Sequence, residues 1–253
     1  MKDLGVERRV KVTIPSPSHL ELFYPNPKNP FILPYFRPVI IEAHERVKSY
    51  YPSVDEYLDE LKPIIINEAE AAFKAGANVV QFDSPDISSL KSAFLERAVE
   101  VNNSVISHFP PEKMELHICW GNYENTQVNT TGCFKDMLPA IYDLKVGTLG
   151  PLEIFDGIRD HKEIKIFKEF PPKPSQRICA GIVSVKTRNV EPVEVLKERY
   201  EMLMETVGPE RAAASPGCGI ASAGASRIIS LESARRKLIN LVKAVKEARK
   251  GLQ

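Results

Sequence analysis

The sequence lacks several features that mark particular classes of protein. Its 34 Lys and Arg residues balance 33 Asp and Glu residues, which argues against a strongly basic nucleic-acid-binding protein and against an acidic disordered tail. It contains no uninterrupted apolar run of about 18 residues, as a membrane helix would need. Charges occupy the N-terminal segment 1–12, where a signal peptide needs apolar residues. The sequence therefore predicts a cytoplasmic protein with no membrane and no nucleic-acid partner.

Cysteine and glycine are also scarce. Four cysteines in 253 residues do not make a disulfide framework, so they are free thiols, metal ligands or nucleophiles. The 13 glycines form neither a G-x-G-x-x-G pattern nor a P-loop, which weakens the case for a nucleotide-binding, doubly wound sheet. Many of the 20 prolines lie in two clusters, 15–38 and 171–174, which predict long fixed loops.

Strand and helix patterns alternate along the chain. Six such units and the lack of an interior linker predict a single α/β domain over residues 1–253, built on a parallel sheet. Strands are predicted at about 10–14, 78–83, 114–119, 147–155, 178–185 and 212–214, and helices at about 53–76, 87–108, 134–142, 192–206 and 230–249.

Two of these helices carry specific predictions. Ser53 and Glu56 form a capping box, and Gly76 supplies the C-terminal stop of the same helix. The last helix is predicted to bury one apolar face and to expose the basic run Arg235–Lys237 to solvent. That apolar face consists of Leu231, Ala234, Leu238, Leu241, Val242 and Val245.

Polar and sulfur-bearing residues follow the predicted strands, which favours a (β/α) barrel of the TIM type, where catalytic groups lie at the carboxyl ends of strands. His117 and Cys119 are two apart on a strand, so they face the same side and can bind one metal ion. Glu153 and Cys218 end later strands and would complete a tetrahedral zinc site.

A simpler interpretation of the same residues stays open. An H-x-C pair arises by chance, and a buried cysteine often acts as a small apolar side chain. Cys179, inside an apolar strand, and Cys133 are interpreted as structural, with Cys133 as the spare candidate ligand. Asp83 is either a substrate-binding carboxylate or a loop-capping residue before Pro85.

Five segments, taken in order, resemble motifs of one enzyme family, the catalytic domain of cobalamin-independent methionine synthase. The segment 79–85 is similar to that family's Q-I-D-E-P, and 117–119 to its H-x-C. The strand around Glu153 is similar to the one that carries its glutamate ligand. The segment 181–191 is similar to the following strand and loop, and 215–219 to its N-P-D-C-G.

The resemblance implies a (β/α)8 barrel that holds Zn²⁺ through His117, Cys119, Glu153 and Cys218. It also implies methyl transfer to a small thiol, homocysteine, which Asp83 would bind, from a small-molecule or corrinoid donor. The run from Trp120 to Tyr123 is more similar to relatives of the epoxyalkane:coenzyme M transferases, so transfer of another alkyl group to another thiol is the alternative.

The chain departs from the family pattern in three places. Lys186 stands where the long methionine synthases have a histidine proton donor. It is either a proton donor, if burial lowers its pKa, or a solvated charge at the end of a strand. Ser84 replaces a glutamate. The family's first two β/α units have no counterpart, and six units leave open strand edges. We therefore expect a partner chain or self-association to complete the barrel, unless the sequence is truncated, and a non-catalytic zinc-binding subunit is a further alternative.

Overall fold

A computed structural model of the chain describes residues 9–26, 37–89, 92–121, 132–155, 161–220 and 229–251. It contains one parallel sheet with helices between the strands. The strands are β1 (Lys11–Pro15), β2 (Val79–Asp83), β3 (Met114–Ile118), β4 (Thr148–Leu152), β5 (Arg177–Val183) and β6 (Ala212–Pro216). The helices are α1 (Pro17–Glu21), α2 (Arg37–Val47), α3 (Val54–Lys74), α4 (Ser92–Ile106), α5 (Ile166–Glu169), α6 (Val193–Val207) and α7 (Leu231–Lys250).

The strands lie side by side in the order in which they occur along the chain, and every neighbouring pair is parallel. Parallel strands need crossover connections, which the intervening helices supply. This strand order is that of a (β/α) barrel wall and confirms the predicted α/β class with six units. Within the described residues, the outer edges of β1 and β6 pair with no other strand.

The core lies on both faces of this sheet. All five residues of β4 are buried, as are the first four of β2, which is typical of parallel strands covered on both sides. On the outer side, α3 begins at the predicted capping box. Ser53 Oγ accepts a hydrogen bond from Glu56 N at 3.2 Å, and Glu56 Oε2 accepts one from Ser53 N at 3.0 Å. These bonds satisfy two backbone donors that the helix leaves free.

Two predicted helices differ from the structure in extent. The segment 134–142 forms two short 3₁₀ turns, Phe134–Asp136 and Ala140–Asp143. Pro139 lies between them and has no N–H with which to continue an α-helix. The helix predicted over 87–108 begins as a 3₁₀ turn at Ile87–Ser89 and is α-helical from Ser92 to Ile106.

The predicted buried face of α7 is wrong in part. Leu231 is 88% exposed, and Leu238 and Val242 are exposed as well. The buried stripe consists instead of Lys237, Leu241, Ala244 and Ala248, whose 3–4-residue spacing and two small members suit close packing against α6. Lys237 therefore lies in the interior and not on the predicted solvated face. No helix in the described ranges combines the length and apolar character needed to cross a membrane.

Candidate metal centre

The carboxyl ends of the strands bring the predicted site residues to one edge of the sheet. Asp83, the last residue of β2, is paired in register with His117 on β3. Cys119 follows β3, and Cys218 lies two residues beyond the end of β6. In a flat sheet, β3 and β6 would be about 14 Å apart, since neighbouring strands are about 4.8 Å apart.

The structure nevertheless brings His117, Cys119 and Cys218 together. One potential ligand atom from each of these residues lies within 4.8 Å of the other two. Cys218 reaches the cluster from the loop after β6. The convergence agrees with the barrel-like curvature expected of this strand order.

His117 is oriented by a backbone contact on the neighbouring strand. Its ring is 4% exposed, and Nδ1 donates a hydrogen bond to the carbonyl oxygen of Pro151 at 2.6 Å. Because the carbonyl can only accept, Nδ1 carries a proton, and Nε2 is the ring nitrogen that can bind a metal ion. Nε2 is buried without a hydrogen-bond partner. Metal-binding histidines are oriented in the same way, by a bond from the other ring nitrogen.

The two cysteines differ strongly in their acidity. The pKa of Cys218 is lowered, chiefly because its sulfur accepts a hydrogen bond from the Cys119 thiol and because His117 lies beside it. The pKa of Cys119 is raised well above its ordinary value by the same bond and by burial. Burial lowers the pKa of His117, but the Cys218 sulfur and Asp83 outweigh this effect, so the pKa of His117 is raised overall. The cluster thus favours a thiolate at Cys218.

Glu153, predicted as the fourth ligand, does not belong to the group of ligand atoms within 4.8 Å of one another. Both of its carboxylate oxygens are bonded to the protein instead. It is fully buried, Oε2 accepts a hydrogen bond from Trp120 N at 3.0 Å, and Oε1 accepts one from Lys186 Nζ at 2.6 Å. Burial raises the pKa of Glu153, and Lys186 opposes this effect. Lys186 is therefore engaged with Glu153, and its side chain is only 6% exposed.

Asp83 faces the cluster from the end of β2. Its Oδ1 lies 3.8 Å from His117 Nε2, and its side chain is half exposed. Burial raises its pKa, and His117 lowers it. A half-exposed carboxylate beside the cluster is well placed to meet a polar group of a substrate.

Sequence reasoning missed two residues that shape this site. Trp120 is buried and binds Glu153 twice, since its indole Nε1 also donates to the Glu153 carbonyl at 3.0 Å. Gly217 allows a close approach, because a Cβ there would lie 3.0 Å from Glu153 Cγ. Both residues are neighbours of a candidate cysteine ligand in the sequence, and this position is the feature from which they could have been identified.

The remaining cysteines lie apart from the cluster. Neither Cys133, the spare candidate, nor Cys179 belongs to a group of potential ligands among the described residues. In the segment that resembles the coenzyme M transferases, Asn122 and Tyr123 lie outside the described residues.

The chemistry of the cluster fits zinc. Two sulfurs and one imidazole nitrogen are ligands that zinc prefers, and a catalytic zinc site commonly has three protein ligands. The buried, unpartnered Nε2 of His117 is the feature that a bound cation would satisfy.

Comparison with known proteins gives a consistent result. Residues 52–247 match the family model described as the cobalamin-independent synthase catalytic domain. The curated methionine synthase of Sulfurisphaera tokodaii is 25% identical over 205 residues, which are 81% of this chain and 53% of that protein. That of Pyrococcus furiosus is 26% identical over 204 residues, again 81% and 53%. The chain thus spans about half the length of these relatives.

Solved structures show the same fold. A B12-independent methionine synthase from a Shewanella species, in complex with selenomethionine, aligns with a TM-score of 0.71 at 16% identity, over 99% of this chain and 65% of that one. A putative vitamin-B12-independent methionine synthase from Listeria monocytogenes aligns with a TM-score of 0.59 at 18% identity, over 98% and 66%.

Proposed function

Because the chain belongs to the family of the cobalamin-independent synthase catalytic domain, we propose that it is a zinc-dependent methyltransferase that forms methionine from homocysteine. The observation that carries this proposal is the convergence of His117, Cys119 and Cys218 within 4.8 Å. Glu153 is the proposed fourth protein ligand. Zn²⁺ bound there would lower the pKa of a substrate thiol and present it as a thiolate.

The surrounding residues of the chain would bind and orient the substrate. Asp83 would accept hydrogen bonds from the amino group of homocysteine, since its carboxylate is half exposed beside His117. The methyl group would pass to the thiolate sulfur as its bond to the donor breaks, and the leaving nitrogen of a folate donor would gain a proton. Lys186 stays a candidate for supplying that proton, although its ammonium is bonded to Glu153.

A metal analysis tests the site. We expect about one zinc ion per chain in the freshly purified protein, and much less in Cys218→Ser. Cys133→Ser is the matched control, because it removes a thiol outside the cluster and should leave zinc unchanged. Less than roughly half an equivalent in the wild type, or full zinc in Cys218→Ser, would contradict the metal site.

An assay of thiol methylation tests the reaction. Methionine formation from homocysteine is measured by mass spectrometry with methylated folate and methyl-corrinoid donors, and other thiols serve as competing acceptors. Preferred alkylation of a different thiol would favour the coenzyme M transferase-like alternative.

We further propose that two additional β/α units complete the barrel, supplied by a longer form of the same polypeptide, by another polypeptide or by self-association. Support comes from the unpaired outer edges of β1 and β6 in the described part of the chain and from the exposed Leu231, Leu238 and Val242 on α7. The assay is therefore run on the chain alone and with the product of a neighbouring gene. Turnover by the monomeric chain alone would contradict this second proposal.

A further inference from the structure

The Glu153 carboxylate lies between both cysteines of the metal cluster and the loop after β5. Trp120, whose N–H binds Oε2, directly follows Cys119. Gly217, where a Cβ would lie 3.0 Å from Glu153 Cγ, directly precedes Cys218. On the other side, Lys186 Nζ binds Oε1 at 2.6 Å. Glu153 therefore borders the segments that carry both cysteines, but it lies outside the group of ligand atoms that converge within 4.8 Å, and its cationic partner comes from the protein.

The position of Lys186 is fixed by a second buried lysine. Lys237 on α7 is fully buried, and its Nζ donates to the Ser184 carbonyl at 3.0 Å and to Glu191 Oε2 at 2.8 Å. It also donates to the Asn189 carbonyl at 2.5 Å. The loop 184–191 is thereby tied to α7, and Lys186 N bonds within it to Ser184 Oγ at 3.2 Å.

Two positive groups can therefore neutralise the same carboxylate. A buried carboxylate without a cationic partner is strongly unfavourable, so Glu153 needs either Lys186 or a metal ion beside it. When it turns to the metal, Lys186 loses its partner while its own side chain remains largely buried. The ion pair thus opposes coordination by Glu153.

We propose that Lys186 is a positioning residue that competes with the metal for Glu153 and so helps to keep the fourth coordination position open for the substrate thiol. This inference rests on the proposed zinc site, and it adds a role for Lys186 that differs from proton donation. It predicts that the loss of the ammonium group allows Glu153 to become a permanent ligand.

Lys186→Met tests this competition. We expect zinc affinity, measured by competition with a chelator, to rise by about 10- to 100-fold, the range typical of groups that bond to metal ligands. We also expect the visible absorption of the Co²⁺-substituted protein to change as a carboxylate replaces solvent. Lys186→Arg retains the cation and should resemble the wild type. Lys197→Met is the matched control, since it removes an exposed lysine that pairs with Glu201 on α6.

A double variant distinguishes competition for Glu153 from simple charge repulsion. In Glu153→Gln, the additional change Lys186→Met should leave zinc affinity and the Co²⁺ spectrum nearly unchanged. A gain in affinity that persists without Glu153, or no gain in Lys186→Met itself, would overturn the proposal. If Lys186→Met does not fold, Lys186→Gln keeps a neutral donor to Glu153 and should also bind zinc more tightly.

If the proposed zinc site itself is wrong, the experiments would give a different result. In that case the wild-type chain would not bind zinc tightly, or Cys218→Ser would bind it equally well, whatever residue stands at 186.

Discussion

At the scale of single residues, His117 illustrates how one hydrogen bond prepares a side chain for metal binding. The Pro151 carbonyl accepts a hydrogen bond from Nδ1, so Nε2 is the ring nitrogen left for a metal ion. Neither residue alone specifies this arrangement, because it requires β3 and β4 to be neighbours. The same holds for Glu153, whose carboxylate is bonded by Trp120 and Lys186 from two different segments.

Gly217 is a residue at which one methyl group should disturb the site. A Cβ would lie 3.0 Å from Glu153 Cγ and 3.4 Å from Oε1, so Glu153 would have to move. We expect Gly217→Ala to lower the free energy of unfolding by about 1–3 kcal/mol, as is usual for overpacking. Urea denaturation measures this change.

Gly219→Ala is the control for that prediction. A Cβ there meets no atom within 4 Å, so the free energy of unfolding should change by less than about 1 kcal/mol. Equal losses in the two variants would show that the contact with Glu153 is not the cause.

The buried carboxyl group of Asp86 leads us to expect that the stability of the fold depends on pH. It is almost completely buried, Ser18 Oγ donates to its Oδ2 at 2.7 Å, and burial raises its pKa to about 7. The folded state holds the proton of Asp86 more tightly than the unfolded chain does. The free energy of unfolding that this proton contributes is therefore fully present below about pH 4 and is lost as the pH rises through 7. Between these values, the loss is about 1.4 kcal/mol per pH unit.

Asp86→Asn removes this titration. The free energy of unfolding of the wild type minus that of the variant should therefore decrease between pH 5 and pH 7 and level off above. A difference that stays constant with pH would mean that Asp86 ionises normally.

At the scale of elements, α7 buries a stripe that differs from the face predicted by spacing. The buried stripe includes Lys237, because the loop 184–191 offers it three oxygen acceptors. Of the six apolar residues grouped by spacing, three are exposed and only Leu241 is on the buried stripe, since helical periodicity reveals a face without revealing the neighbour that covers it.

Lys237→Met should be strongly destabilising. It leaves the largely buried Glu191 carboxylate, whose side chain is 10% exposed, without its cation. We expect a loss of about 3–5 kcal/mol, which is typical when one partner of a buried ion pair is removed. Thermal and urea unfolding measure it.

The adjacent Arg236 provides the control, because it lies on the exposed side of the same helix. Arg236→Met should change the free energy of unfolding by no more than about 0.5 kcal/mol. A small effect of Lys237→Met would mean that the loop does not depend on this anchor.

At the scale of the whole molecule, the proposed metal would join segments that are distant in sequence. A ligand that binds only the folded state stabilises it, by about 2.7 kcal/mol at a free concentration 100 times its Kd. We expect zinc to raise the urea midpoint of the wild type and a chelator to reverse the effect. The midpoint of Cys218→Ser should respond to neither, and an equal response in this variant would place the bound zinc elsewhere.

The sequence by itself determined the α/β class, the six strand–helix units, the capping box of α3 and the candidate residues His117, Cys119, Glu153 and Cys218. These follow from local patterns, because period, caps and motif spacing act within one segment. Such patterns did not reveal that the segment 134–142, predicted as one helix, forms two 3₁₀ turns around Pro139.

Only the tertiary structure decided which residues meet. The arrangement of the sheet brings Cys218, just beyond β6, to His117 and Cys119 at the end of β3, and packing of α7 buries Lys237 and exposes Leu231. Lys186 bonds to Glu153 for the same reason. These contacts join residues more than 30 positions apart, and they depend on packing and burial of charge, which no local pattern encodes.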